Sequence, residues 1–229
     1  MARLFVHVEG QTEELFVQEV LAPHLYGRGF HLVAPVFLGN PRQRGGVPSW
    51  PSARRDILRK LSGDQGAIST MMVDYYGMPQ SGERAWPGRA AASGLRTAEE
   101  KAGCVQQALL LDISHALGEP PASCRFVPSV LMHEFEALLF TDGSAVERAL
   151  CQTGVAAGMR AIREKFQDPE EINDSPGGAP SRRLTGLLAG YQKVFHGNLA
   201  ALEIGLNVMR SHCRVFDQWV SRLESLAVP

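Results

Sequence analysis

Short apolar, β-rich runs alternate with helix-period segments through the first half of this chain, and that alternation leaves few folds open. Residues 3–8, 30–38, 67–73 and 124–131 are the apolar runs. Between them, residues 12–26, 52–61 and 95–117 repeat their apolar positions at helical spacing. Parallel strands need crossover connections, and helices between successive strands supply them. The expectation is therefore an α/β core with a mainly parallel sheet flanked by helices. Pro35 inside the second run marks an edge strand or a bulge, because proline cannot donate to a ladder.

The second half changes character. Residues 144–166 read as helical, broken near Gly154 and Gly158, and a Pro/Gly/Asp loop covers 168–180. Three helices are expected at 181–195, 198–211 and 214–226, with Gly197 as a stop between two of them. We place a core at 1–142 and a helical C-terminal layer at 143–229, packed together as one structural unit.

Acids stand where the apolar runs end. Glu9 follows the first run and opens the turn Glu9-Gly10-Gln11-Thr12-Glu13. Thr12 is placed to cap the next helix, with Glu13 and Glu14 in its first turn. Asp74 follows the third run, ahead of Tyr75-Tyr76-Gly77, and either binds a cation or forms a turn. Glu134 and Glu136 follow the fourth, in His133-Glu134-Phe135-Glu136. Ligands of open α/β sheets bind beyond the carboxyl ends of the strands. Carboxylates gathered there repel unless a cation neutralises them, and hard oxygen donors suit Mg²⁺ or Mn²⁺. On a strand end or irregular turn Glu134 and Glu136 share a side. On a regular helix they diverge by about 200°, leaving one as ligand and the other as a supporting acid.

Several classes are disfavoured. The net charge of −1 speaks against a large basic nucleic-acid face, though a local basic groove or a partner can supply one. None of the four cysteines forms a CxxC pair, so a structural zinc site is not expected. His133-Glu134 lacks the second histidine of a zinc protease helix. Neither Gly45-Gly46 nor Gly177-Gly178 belongs to a Walker phosphate loop. With no signal peptide ahead of the first strand and no apolar run of about 20 residues, a cytoplasmic protein with reduced thiols is expected.

The order strand–Glu-Gly-x-Thr-Glu–helix, strand–Asp, strand–His-Glu-Phe-Glu-Ala-Leu-Leu-Phe resembles the Toprim-like proteins of bacteria. It is most similar to a family related to the nucleases of the OLD (overcoming lysogenization defect) group. The runs Pro169-Glu170-Glu171-Ile172-Asn173-Asp174, Ala179-Pro180-Ser181-Arg182-Arg183-Leu184 and Tyr191-Gln192-Lys193 extend the likeness over nearly the whole chain. The resemblance implies a Toprim/Rossmann-like sheet and Mg²⁺- or Mn²⁺-dependent cleavage of DNA or RNA phosphodiesters. It assigns Glu9 to the first-strand glutamate and Asp74 to the first acid of an Asp-x-Asp element, whose second acid is here Tyr76.

Glu9, Asp74, Glu134 and Glu136 are thus the expected metal and catalytic residues, and Arg182, Arg183, Lys193, Glu13 and His133 the expected substrate contacts. Arg42 and Arg44 are further candidates for a nucleic-acid backbone. The partners implied are nucleic acid and a separate ATPase, as in systems that defend against phage. A homo-oligomer is compatible, and no membrane is involved. Two other functions stay open: a non-catalytic Toprim-like binding subunit, which Tyr76 favours, and a small-molecule phosphoesterase.

Overall fold

The computed structural model describes residues 2–39, 46–172 and 177–227. Four strands, β1 (Ala2–Val8), β2 (Phe30–Phe37), β3 (Ala67–Met72) and β4 (Phe126–Val127), form one sheet in the order β2-β1-β3-β4. Every pairing is parallel. The architecture is the α/β one predicted, a parallel sheet flanked by helices.

Strand periodicity explains the two cores. Leu4, Val6 and Val8 of β1 join one buried cluster, with Phe16 and Val17 before them and Phe216 and Trp219 from the C-terminal region. The alternate positions Phe5 and His7 face the other side, where Lys60 lies 4.8 Å over the Phe5 ring and His7 Nε2 is 3.3 Å from Ser69 Oγ. That side is covered by α3 (Trp50–Gly63) and, beyond the short α4 (Arg89–Ala92), by the long α5 (Ala98–Leu117). The first side is covered by α1 (Gln11–Phe16), α2 (Ala22–Tyr26) and the C-terminal helices.

The helix after β1 runs unbroken through a π-helical turn, Val17–Leu21, into α2. Pro23 accounts for the widening, since its ring conflicts with the carbonyl four residues earlier in a regular helix. Pro35 sits on an edge strand as anticipated. β4 is much shorter than the run 124–131. Pro128 follows its second residue and has no N–H to continue the ladder, and pairing resumes only at an isolated bridge between Asp74 and Leu131.

Several boundaries differ from expectation. Gly10, not Thr12, is the N-cap of α1, and the Thr12 side chain is buried. Residues 135–141 form 3₁₀ turns rather than the start of a regular helix. The segment 144–166 splits into α6 (Gly143–Leu150) and α7 (Val155–Arg163) at Cys151–Gly154, while Gly158 lies inside α7. A Cβ on Gly158 would come within 2.5 Å of Leu187, so that glycine serves close packing.

The remaining helices are α8 (Pro180–Leu187), α9 (Lys193–Ile204), α10 (Leu206–His212) and α11 (Arg214–Glu224). Gly197 is inside α9 and stops nothing. The stop is Gly205, whose φ of +77° lies in a region that favours glycine. No helix among the described residues is long and apolar enough to cross a membrane.

Candidate metal centre

β1 and β3 are neighbours at the middle of the sheet, so the residues that leave their carboxyl ends emerge side by side. Glu9 Oε2 accepts from the Asp74 backbone N–H at 3.3 Å, which joins the two strand ends. Glu13 enters from the first turn of α1. A Cβ on Gly10 would stand 3.2 Å from Glu13 Oε2, so glycine leaves the space in which this carboxylate folds back. One oxygen each from Glu9, Glu13 and Asp74 lies within 4.8 Å of the others.

The donor set fits a hard divalent cation. Three carboxylate oxygens at this spacing need only small side-chain movements to share an ion with bonds of about 2.0–2.2 Å. Glu13 is 1% exposed, and its Oε1 is buried without a hydrogen bond. Leaving a buried charged oxygen unpaired is costly unless a cation meets it. These three acids therefore form a group that can hold a metal ion.

The remaining predicted residues divide around this group. Asp74 Oδ1 accepts from the Phe135 N–H at 2.8 Å, drawing the His133–Glu136 segment onto the strand end. Glu136 is fully buried and lies 3.2 Å from Lys193 Nζ, with the Tyr191 hydroxyl 3.5 Å away on its other oxygen. Glu134 turns elsewhere, and its Oε2 accepts from the Ser181 N–H at 2.8 Å, at the start of α8. Predicted as ligands, Glu134 and Glu136 both lie outside the three-acid group. Glu13, predicted as a substrate contact, belongs to it.

Lys193 is the other relocation. Its Nζ is 3.2 Å from Asp74 Oδ2 and 3.9 Å from Glu13 Oε1, so the ammonium sits against the acids. The packing of α9 on α1 brings it there. Asn198 donates to the Thr12 carbonyl at 3.2 Å, and a Cβ on Gly197 would meet the Tyr191 hydroxyl at 3.0 Å.

Arg182 is exposed, and the half-buried Arg183 donates to the Gly178 carbonyl and stacks 5.2 Å from the Phe166 ring. The α8 N-terminus is met by Glu134. His133 is buried edge-on to Tyr75, with a φ of +65°. Tyr75 is buried beneath Arg89, while Tyr76 is 43% exposed. Arg42, Arg44, Asn173 and Asp174 lie outside the described residues.

Charge balance in the cluster is unfavourable without help. Burial pushes the Glu9 carboxyl well above the usual range, and Asp74 and Glu13 add to the rise. Burial, then Asp74, raises Glu13 to about 7. Burial raises Asp74 against the pull of Lys193. Glu136 reaches about 7, again by burial first, with Lys193 opposing and Asp74 adding. Burial alone would lower Lys193, but Asp74, Glu136, Glu13 and Glu9 together hold it well above the ordinary lysine value. One ammonium faces four carboxylates, so the excess negative charge must be met by protons or by a divalent ion.

No curated protein and no solved structure matches the chain. One family model does match, over residues 8–224, a span that includes every acid of the cluster and Lys193. The chain therefore belongs to the family described as a domain of unknown function, DUF4276.

Proposed function

We propose that this chain is a Mg²⁺- or Mn²⁺-dependent nuclease that hydrolyses phosphodiester bonds of DNA or RNA. The convergence of Glu9, Glu13 and Asp74 at the carboxyl rim of a parallel sheet carries the reading. A divalent ion bound there would supply an activated water and offset charge on a phosphoryl oxygen. Glu9, Glu13 and Asp74 would hold it. Lys193, with 35% of its side chain exposed, offers a cation to the scissile phosphate from the edge of the cluster. Glu136 would fix the lysine, and exposed Arg182 would meet the substrate backbone further out. The resemblance to Toprim-like proteins supports the same chemistry, and the pairing with an ATPase in phage defence rests on that resemblance alone.

The test is cleavage of single-stranded DNA, duplex DNA and RNA by the purified chain with Mn²⁺ or Mg²⁺. Cleavage should fall on the order of 100-fold or more in Glu9→Gln and Asp74→Asn. Absence of cleavage with either ion, together with unchanged behaviour of Glu9→Gln, would sink the proposal.

Two observations favour a competing reading, a non-catalytic binding subunit. Tyr76 stands where the resemblance expects an acid, and Lys193 already pairs with Asp74. Mn²⁺ binding without cleavage of any nucleic acid would support it. Turnover of a small phosphoester alone would instead point to a phosphoesterase.

A further inference from the structure

Backbone amides already engage one oxygen each of Asp74 and Glu9. Asp74 Oδ1 is occupied by the Phe135 N–H and Glu9 Oε2 by the Asp74 N–H. Of the others, Asp74 Oδ2 accepts from Lys193 Nζ at 3.2 Å, and Glu13 Oε1, buried and without a hydrogen bond, lies 3.9 Å from the same ammonium. An ion that the trio binds through these two oxygens must share them with Lys193. A divalent cation and an ammonium sharing them would repel strongly even at the effective dielectric of a protein. The third contact of Lys193, Glu136 Oε2 at 3.2 Å, belongs to an acid outside the trio.

We infer that Lys193 is a built-in counter-cation that holds the metal-free carboxylates together and is displaced from Asp74 onto Glu136 when a divalent ion enters. The inference rests on the metal-binding part of the proposed function and deepens it. The long unbranched stem of Lys193 starts at the first residue of α9, so its head can shift between carboxylates while the helix stays in place. Glu136, fully buried and anchored in the 3₁₀ segment that Asp74 grips, remains to receive it. Lys193 thereby sets the metal concentration at which the site fills. It also spares the metal-free protein a nest of unpaired buried acids.

Mn²⁺ binding by the full chain, measured by calorimetry at pH 8, tests this beside a crystal structure soaked in Mn²⁺. Lys193→Met should bind Mn²⁺ at least about ten-fold more tightly than the parent protein, because the competing charge is gone. Its melting temperature in chelator should fall, and saturating Mn²⁺ should raise it by more than it raises the parent's. Should Lys193→Met fail to fold without metal, Lys193→Gln is measured the same way. In the soaked crystal, Lys193 Nζ should stand more than about 4 Å from Asp74 Oδ2 and remain beside Glu136. Mn²⁺ bound among the three acids with the 3.2 Å contact to Asp74 intact would overturn the displacement and leave the metal site standing. Equal Mn²⁺ affinity in parent and variant would do the same. No Mn²⁺ binding to either protein would overturn the inference and the proposed metal chemistry together.

Discussion

Buried acids outside the cluster are handled by a different means, and Glu170 shows it. Its two oxygens accept from the Val215 N–H at 2.7 Å and the Phe216 N–H at 3.0 Å, at the first turn of α11. Burial nevertheless raises its carboxyl to about 8, against the pull of those two amides, with Asp168 and Glu171 adding to the rise. A carboxyl raised in the fold keeps its proton there after the unfolded chain has lost it. The associated stability is full below about pH 4.5 and declines as pH rises towards about 8. Glu170→Gln removes this titration, so its stability should decline less than the parent's by about 2–3 kcal/mol between pH 5 and pH 7. Urea unfolding of both proteins at the two pH values measures the difference, and parallel pH profiles would refute it. At this scale much of the site is legible in the chain. Glu9 and Asp74 are marked by their place after apolar runs. Glu13 is the recoverable miss: it lies four residues beyond Glu9 across a glycine, a spacing that returns a first-turn carboxylate to the strand end. The pairing of Lys193 with Asp74 carries no local signal, since the 119 residues between them are closed only by helix packing.

Elements show where local pattern misleads. The run 124–131 is apolar enough for a full strand, but Pro128 cuts the ladder after two residues, which a proline inside the run already hinted. Gly197 and Gly158 resemble helix stops, yet both lie inside helices, where the missing Cβ admits a neighbouring side chain. Composition alone cannot separate a glycine that ends a helix from one that lets two helices approach. Gly88, at the start of α4, combines a positive φ with a close approach. Its φ is +77°, and a Cβ there would stand 2.7 Å from the Cys104 carbonyl oxygen and 2.9 Å from Val105 Cα on α5. The obstruction is backbone and cannot rotate away. Gly88→Ala should therefore destabilise the protein by at least about 2 kcal/mol, from the left-handed conformation and the forced separation of α4 from α5. Denaturant titration checks it. An unchanged midpoint would mean that the segment 75–97 relaxes without cost.

The whole molecule joins two stretches of chain at one site. The part before residue 143 supplies Glu9, Glu13, Asp74 and Glu136, and the later part supplies Lys193. The two also share a core. Leu4, Val6 and Val8 pack in the same cluster as Ala200, Met209, Phe216 and Trp219. The Trp219 indole N–H donates at 2.8 Å to Thr70 Oγ1, on the central strand β3, and that hydroxyl donates in turn to the Val127 carbonyl. A buried chain of donors crossing from α11 through β3 to β4 ties the last helix to the sheet. Without the C-terminal helices, one sheet face and the inner surface of α1 would open to water, a loss that the other core cannot offset. A chain ending at residue 142 should accordingly fail to fold, judged by its far-ultraviolet circular dichroism and rapid proteolysis. The full chain should unfold in one step. The molecule carries its own reporters: Trp50 and Trp86 are buried in one core and Trp219 in the other. In Trp50→Phe/Trp86→Phe, fluorescence follows Trp219 alone, and in Trp219→Phe it follows the opposite face. In each variant the fluorescence and circular dichroism midpoints should coincide. Trp219 fluorescence that changed at lower denaturant than circular dichroism would instead show the helical layer detaching from a sheet that stands without it.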